Sequence, residues 1–295
     1  MDLTFLGTAA AEGYPDPFCA CANCIEAREL GGTSFRYRAS ALVDGCLLID
    51  MGPDLVAASM RHGIPLSDVR YGIQTHPHND HLDVLAFFAR NEGCNVEGIA
   101  TMEYACSATA LRRINALESL ESVETDFADA EVQRRHRITL RTIEPWEEFR
   151  IGPYRIQPVG ATHGGGRIEA MLFAIEGPDG GRLFYGTDTG TLADGTWERL
   201  ADLGWVFDVF VLDHTGGMQV GPAGAHHNAG TFVEEVARAR AAGVIDDRTR
   251  VMATHFAHHS NPTHEKLAAW TAESGYKPAY DGMRVTVAAI MPGSA

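Results

Sequence analysis

Four side chains able to bind a transition metal fall within six residues of the segment Thr75-His76-Pro77-His78-Asn79-Asp80-His81. Imidazole and carboxylate donors at this density suit zinc, manganese or iron. The segment follows the apolar run Tyr71 to Gln74, so its donors leave a strand end, where they can converge instead of alternating to opposite faces. The competing reading, histidines that merely populate a polar loop, accounts poorly for four donors at this spacing. A two-metal centre takes about six or seven donors, and three more candidates stand just past apolar runs. His163 lies in Gly160-Ala161-Thr162-His163-Gly164-Gly165-Gly166, where glycines permit close backbone approach. Asp188 lies in Gly186-Thr187-Asp188-Thr189-Gly190, and His255 follows Val251-Met252-Ala253-Thr254. Singly, each is most simply a satisfied core or loop residue. Together with the His-rich segment they complete a donor set.

A second cluster is Cys19, Cys21 and Cys24, a CxCxxC that supplies three thiolates, one donor short of a tetrahedral structural zinc site. His258, three residues beyond His255, is the candidate fourth donor. Clustered thiols in a reducing compartment favour metal over disulfide, against the alternative of incidental thiols. Cys46, Cys94 and Cys106 are scattered and read as small buried residues.

The order HxHxDH, lone His, lone Asp, last His resembles the metallo-β-lactamase superfamily along nearly the whole chain. The resemblance implies an α/β fold, an αββα sandwich of two mixed sheets with helices on the outer faces. It assigns His76, His78 and His163 to one metal, Asp80, His81 and His255 to the other, and Asp188 to a bridge between them. Asp50, in Leu48-Ile49-Asp50-Met51-Gly52, matches an aspartate that orients the imidazoles from behind; on sequence alone it reads equally as a cap for the helix after Pro53. The thiol cluster further resembles the PhnP-like branch of phosphoribosyl cyclic phosphate phosphodiesterases, where a structural zinc accompanies the catalytic pair. PqqB-like proteins also carry such a zinc but do not keep the complete HxHxDH. The same branch places a substrate-contacting histidine in a stretch like Ala225-His226-His227-Asn228, which follows Asp213-His214-Thr215. His227 is the first choice, as a phosphate contact or a proton donor to the leaving alkoxide, and His226 the second. Helix capping by Asn228 is the competing reading. His259 and His264 read as surface or helix-start residues.

The elements that must position these residues are legible in part. Leu3 to Leu6 reads as a strand, and Ala39 to Val43 with Cys46 to Asp50 as a hairpin about Asp44-Gly45. Pro53 opens a helix that Gly63 ends, and Leu82 to Arg90 reads as another. Glu103 to Leu120 reads as one long helical piece, in a segment near 94–137 expected to be family-specific and to shape the substrate pocket. Ile138 to Ile143, Tyr154 to Val159, Ala170 to Glu176 and Arg182 to Tyr185 read as strands of a second half, with a turn at Pro178-Asp179-Gly180-Gly181. Apolar strands at Val206 to Leu212 and Arg250 to Ala253, and helices near Thr231 to Ala242 and Thr263 to Ser274, complete it. One domain over residues 1–295 is expected, with a zinc-binding loop near 14–32.

The chain of 295 residues is 45% hydrophobic and 21% charged, with 39 acidic residues against 24 Lys and Arg and a net charge of −15. That balance disfavours nucleic acid, and Arg134-Arg135-His136-Arg137 reads as a solvated patch. A metal pair can still attract a small anion to an acidic protein. No run approaches the ~20 apolar residues of a membrane span, and the N-terminus lacks a leader pattern, so a cytoplasmic, membrane-free protein is expected. The resulting expectation is a hydrolase with two catalytic divalent metals, Mn or Zn with Fe as a third option, and one structural Zn. Its reaction would be attack of a metal-bridging hydroxide on a small, cyclic or diester, phosphate. A homodimer is the one assembly considered. The alternatives are lactone, thioester or sulfate ester hydrolysis on the same centre, or a PqqB-like iron-dependent redox protein.

Overall fold

The computed structural model describes residues 1–121, 125–222 and 224–288. The first half builds β1 (Asp2–Gly7), β2 (Ser40–Val43), β3 (Leu47–Ile49), β4 (Tyr71–Ile73), β5 (Met102–Cys106) and β6 (Ile138–Thr142). The second builds β7 (Phe149–Ile151), β8 (Tyr154–Gly160), β9 (Met171–Glu176), β10 (Arg182–Gly186), β11 (Val209–Asp213), β12 (Arg250–Thr254) and β13 (Lys277–Pro278). A last strand, β14 (Arg284–Thr286), crosses back to pair antiparallel with β1. Two seven-stranded sheets result, ordered β14-β1-β2-β3-β4-β5-β6 and β13-β12-β11-β10-β9-β8-β7. Both are mixed: β3, β4, β5 and β6 run parallel, as do β10, β11, β12 and β13, and the remaining pairs are antiparallel.

Period-two alternation decides which face each strand residue covers. In β11, Val209 and Val211 pack into the core between the sheets, while Phe210 and Leu212 pack outward against helices. Strands covered on both faces read as continuous apolar runs, which is why they stand out in the sequence. The outer layer of the second sheet comes from α6 (Thr196–Ala201), α7 (Ala229–Ala241) and α8 (His264–Ala272), which contribute Trp197, Leu200, Phe232 and Leu267. Over the first sheet lie α2 (Leu55–His62), α3 (Leu85–Arg90) and α4 (Ala108–Glu121), contributing Leu55, Phe87, Ala110 and Ile114, with α5 (Ala130–His136) beside them. With α1 (Ala22–Leu30) after the thiol loop, this is the αββα order that the resemblance implies. Each fully buried aliphatic or aromatic side chain in these layers contributes about 1.5–3 kcal/mol.

The Asp44-Gly45 hairpin forms as its sequence predicts, both residues at positive φ in a three-residue connection between Val43 and Leu47, and Gly63 ends α2 in the left-handed conformation. Three expectations change. Glu103 to Leu120 is not one helix: its first residues belong to β5, buried between β4 and β6, and the helix begins at Ala108. The alternation of Met102, Tyr104 and Cys106 on one face carried that signal. Ile138 to Thr142 joins the first sheet rather than the second, because β6 pairs parallel with β5. Of the scattered cysteines only Cys106 is buried; Cys46 is partly covered, and Cys94 is exposed on a short 3₁₀ turn leaving α3. Among the described residues no helix is long and apolar enough to cross a membrane.

Candidate metal centre

Strand ends converge at one edge of the sandwich. Asp50 follows β3, His76 follows β4, His163 follows β8, Asp188 follows β10 and His255 follows β12. Three of these residues, Asp50, Asp188 and His255, have φ of 66, 53 and 62°, a conformation that non-glycine residues adopt only when their surroundings hold them there. Gly52 allows the ligand loop to seat itself closely: a Cβ there would stand 2.7 Å from the carbonyl oxygen of Asp80.

The donors meet in two groups. His76, His78, His163 and Asp188 form one, Asp80, His81, His255 and Asp188 the other, and within each the candidate ligand atoms all lie within 4.8 Å of one another. Asp188 Oδ2 belongs to both, 3.1 Å from His76 Nε2 and 3.0 Å from His81 Nε2. Ring nitrogens face ring nitrogens: His78 Nδ1 is 3.0 Å from both His76 Nε2 and His163 Nε2, and His81 Nε2 is 3.2 Å from His255 Nε2. Lone pairs aimed at one another in a buried site, with Asp188 Oδ1 buried and accepting no hydrogen bond, fit a pair of cations between them.

The rear of the His81 and His255 rings is fixed. His81 Nδ1 donates to Asp50 Oδ2 at 2.7 Å, which leaves Nε2 as the donor atom to a metal. Asp50 also accepts from the Thr75 backbone N–H at 2.7 Å, from the Thr75 hydroxyl and from Gln74 Nε2 at 2.8 Å. Gln74 donates onward to the carbonyls of His76 and His81 at 2.9 and 3.0 Å, so one side chain ties both ends of the ligand loop to β3. Asp50 therefore supports the site and does not cap α2, whose N-cap is Asp54. Thr215 Oγ1 lies 2.8 Å from His255 Nδ1 and bonds Asp213 Oδ2 at 2.8 Å. Burial pushes the His76 imidazole down to about 4, aided by His81, so it stands neutral and ready to ligate. Burial alone would raise the Asp188 carboxyl, but His255 and His81 hold it well below the usual range.

The histidine pair after β11 separates. His227, the first choice as a substrate contact, is fully buried; its backbone N–H donates to Asp213 Oδ1 at 3.0 Å and its ring turns to Thr231, with burial pushing the imidazole down to about 4. His226 is the one at the centre: Nδ1 lies 3.1 Å from Asp213 Oδ2 and 3.4 Å from Asp188 Oδ1, and its ring stacks on His255 at 5.8 Å. Adjacent side chains of an extended segment diverge, so one of the two had to turn inward. Beside His226 opens a cleft of about 350 Å³, lined among others by Glu12, Thr215, Gln219 and His259. Sequence reasoning gave no role to Asp213, Thr215, Gln74 or Thr75. Asp213 was within reach as a lone acid ending an apolar strand, whereas Gln74 carries no such signal. His264 starts α8 and His259 is exposed, as expected.

Cys19, Cys21, Cys24 and His258 bring four donors within 4.8 Å at a separate place. No disulfide joins them. Cys21 Sγ is 3.6 Å from His258 Nδ1, while His258 Nε2 faces Asp16 Oδ2 at 3.2 Å, the back-side carboxylate expected of a zinc-binding imidazole. The Cys21 thiol is held down to about 6; burial acts to raise it, and the His258 contact and hydrogen bonds within the loop overcome that.

A family model described as the beta-lactamase superfamily domain matches residues 46–256, which contain every donor of the two His/Asp groups and none of the thiol site. The chain belongs to the beta-lactamase superfamily. Among solved structures of this superfamily's fold, a diphosphatase of the PhnP family is 21% identical with a TM-score of 0.72, covering 96% of each chain. Zinc-bound PqqB from Methylobacterium extorquens is 18% identical with a TM-score of 0.69, over 97% of this chain and 100% of that one. The short form of human tRNase Z is 17% identical with a TM-score of 0.61, over 98% and 100%. At such identities the likeness is one of fold. No curated protein matches the chain by sequence.

Proposed function

We propose that this superfamily member is a metal-dependent hydrolase that cleaves a small phosphodiester with two divalent metals, Mn or Zn, and carries a structural Zn on Cys19, Cys21, Cys24 and His258. The observation that carries the reading is Asp188 Oδ2, placed 3.1 and 3.0 Å from imidazoles of two different donor groups, as a bridging carboxylate must be. Held there, a metal pair supplies Lewis acidity to the phosphoryl oxygens and lowers the pKa of water towards neutrality. Asp80, in the second group, is the residue suited to orient an attacking water. His226, fixed by Asp213 through Nδ1, presents Nε2 to the departing alkoxide, which the cleft beside it accommodates. The net charge of −15 favours a small ester over a nucleic acid backbone. A PhnP-family neighbour described as a diphosphatase supports phosphorus over carbonyl chemistry.

The test compares turnover of bis(p-nitrophenyl) phosphate with that of a lactone, a thioester and an aryl sulfate, on the wild type and on His76→Ala. Diester hydrolysis that exceeds the others and is lost in the variant is expected. Faster turnover of a carbonyl or sulfate ester overturns the substrate class, and undiminished activity in His76→Ala overturns the centre.

A further inference from the structure

On the outer, helix-covered face of the first sheet, α2, α3 and the 94–101 loop line a cavity of about 300 Å³. Its lining is apolar, with Leu48, Met51, Leu55, Leu66, Ile99 and Met102 among its walls. That volume is at the lower end of small-ligand sites, about 300–1,000 Å³, which are apolar with a few placed polar groups. Here the polar side chains are Ser67, Arg90 and Glu97, and Arg90 is the cation among them. Its Nη2 donates to the carbonyls of Ala100 and Arg137 at 2.7 and 3.1 Å, while Nε is buried with no hydrogen-bond partner. Arg137 stands beside it, its Nη1 spent on the Val96 carbonyl at 2.6 Å. In a chain with 39 acidic residues, no acid forms an ion pair with either arginine among the described residues. Glu97 is the acid lining the cavity, and it is exposed. Arg90 is half-buried, and a carboxylate in the cavity would give its guanidinium the charge-assisted pairing that no acid among the described residues supplies.

We propose that this cavity binds a free aliphatic carboxylate, its chain among the apolar walls and its head group on Arg90. The reading is independent of the reaction at the metal centre. A second copy of the chain is the rival occupant, since Val56, Leu85 and Phe88 are exposed on the same helices.

Isothermal titration with sodium octanoate and with octanol, on the wild type, Arg90→Gln and Ala86→Trp, tests it, with circular dichroism confirming that each variant is folded. Octanoate should bind once per chain, and octanol about tenfold or more weakly, as the loss of a charge-assisted bond implies. Arg90→Gln should bring octanoate to the level of octanol, and Ala86→Trp, which fills the cavity, should abolish both. Absence of octanoate binding, equal binding of the alcohol by the wild type, or binding that survives Ala86→Trp overturns the proposal. So does light scattering that finds a wild-type dimer made monomeric by Ala86→Trp, which would seat a second copy on this face.

Discussion

His226 and His227 are neighbours in sequence with opposite surroundings, and that contrast makes the sharpest residue-scale prediction. His226 lies within 3.4 Å of Asp188, whereas His227 is fully buried. Replacing His226 by Gln should lower kcat by about 10²- to 10⁴-fold on a diester with an alkyl leaving group, the range a positioned proton donor supplies. The loss should be much smaller with p-nitrophenyl, whose phenolate leaves unaided. His227→Gln should leave kcat nearly unchanged and lower the melting temperature instead. Equal losses in the two variants, or losses independent of the leaving group, would contradict the assignment. The sequence reading put His227 first, and the structure turns His226 to the centre instead, because Asp213, arriving from β11, holds the His226 ring there. The donors themselves were legible because four of them sit together and the rest follow apolar strands. Gln74 was not, since an amide that bonds carbonyls across a loop leaves no pattern in composition.

At the scale of elements, short strands ending in candidate ligands do the positioning, and their apolar runs announced them. The exceptions have physical reasons. The β5 strand and α4 are separated by Ser107 alone, so a strand and a helix fused into one apparent helix. The β7 strand is a three-residue edge, and α5 is polar on most of its surface. That last helix holds a buried pair, His136 Nε2 facing Glu118 at 3.5 Å, in a stretch whose sequence reads as a solvated basic patch. Arg134 and Arg135 do fit that reading, paired at the surface with Glu92 and Glu131. Burial lowers the affinity of His136 for a proton, but the Glu118 contact and the Val132 carbonyl outweigh it and raise the pKa above the ordinary 6.5. A raised histidine contributes stability that is full below about 6.5 and is lost as pH climbs through the folded value. The stability difference between the wild type and His136→Phe should therefore be largest near pH 6 and shrink above about 6.5. Chemical denaturation across that range checks it; a difference that stays constant would contradict the pair.

Across the whole molecule, two sheets bring the ends of strands far apart in sequence to one edge, and the thiol loop meets His258, three residues after the candidate ligand His255. A sequence can declare the donors of such a centre. Their pairing into two groups with Asp188 common to both is a property of the packed sheets. The centre and the thiol site share no ligand, so their metals should be lost separately: Cys21→Ser should release one zinc and lower stability more than it lowers turnover per folded molecule. A metal pair bridged by Asp188 is open to elemental analysis of the purified chain and of Asp188→Asn. It predicts three metals per chain in the wild type and a fall to about one, the thiol-bound zinc, in the variant. Equal metal content in the two proteins would contradict it.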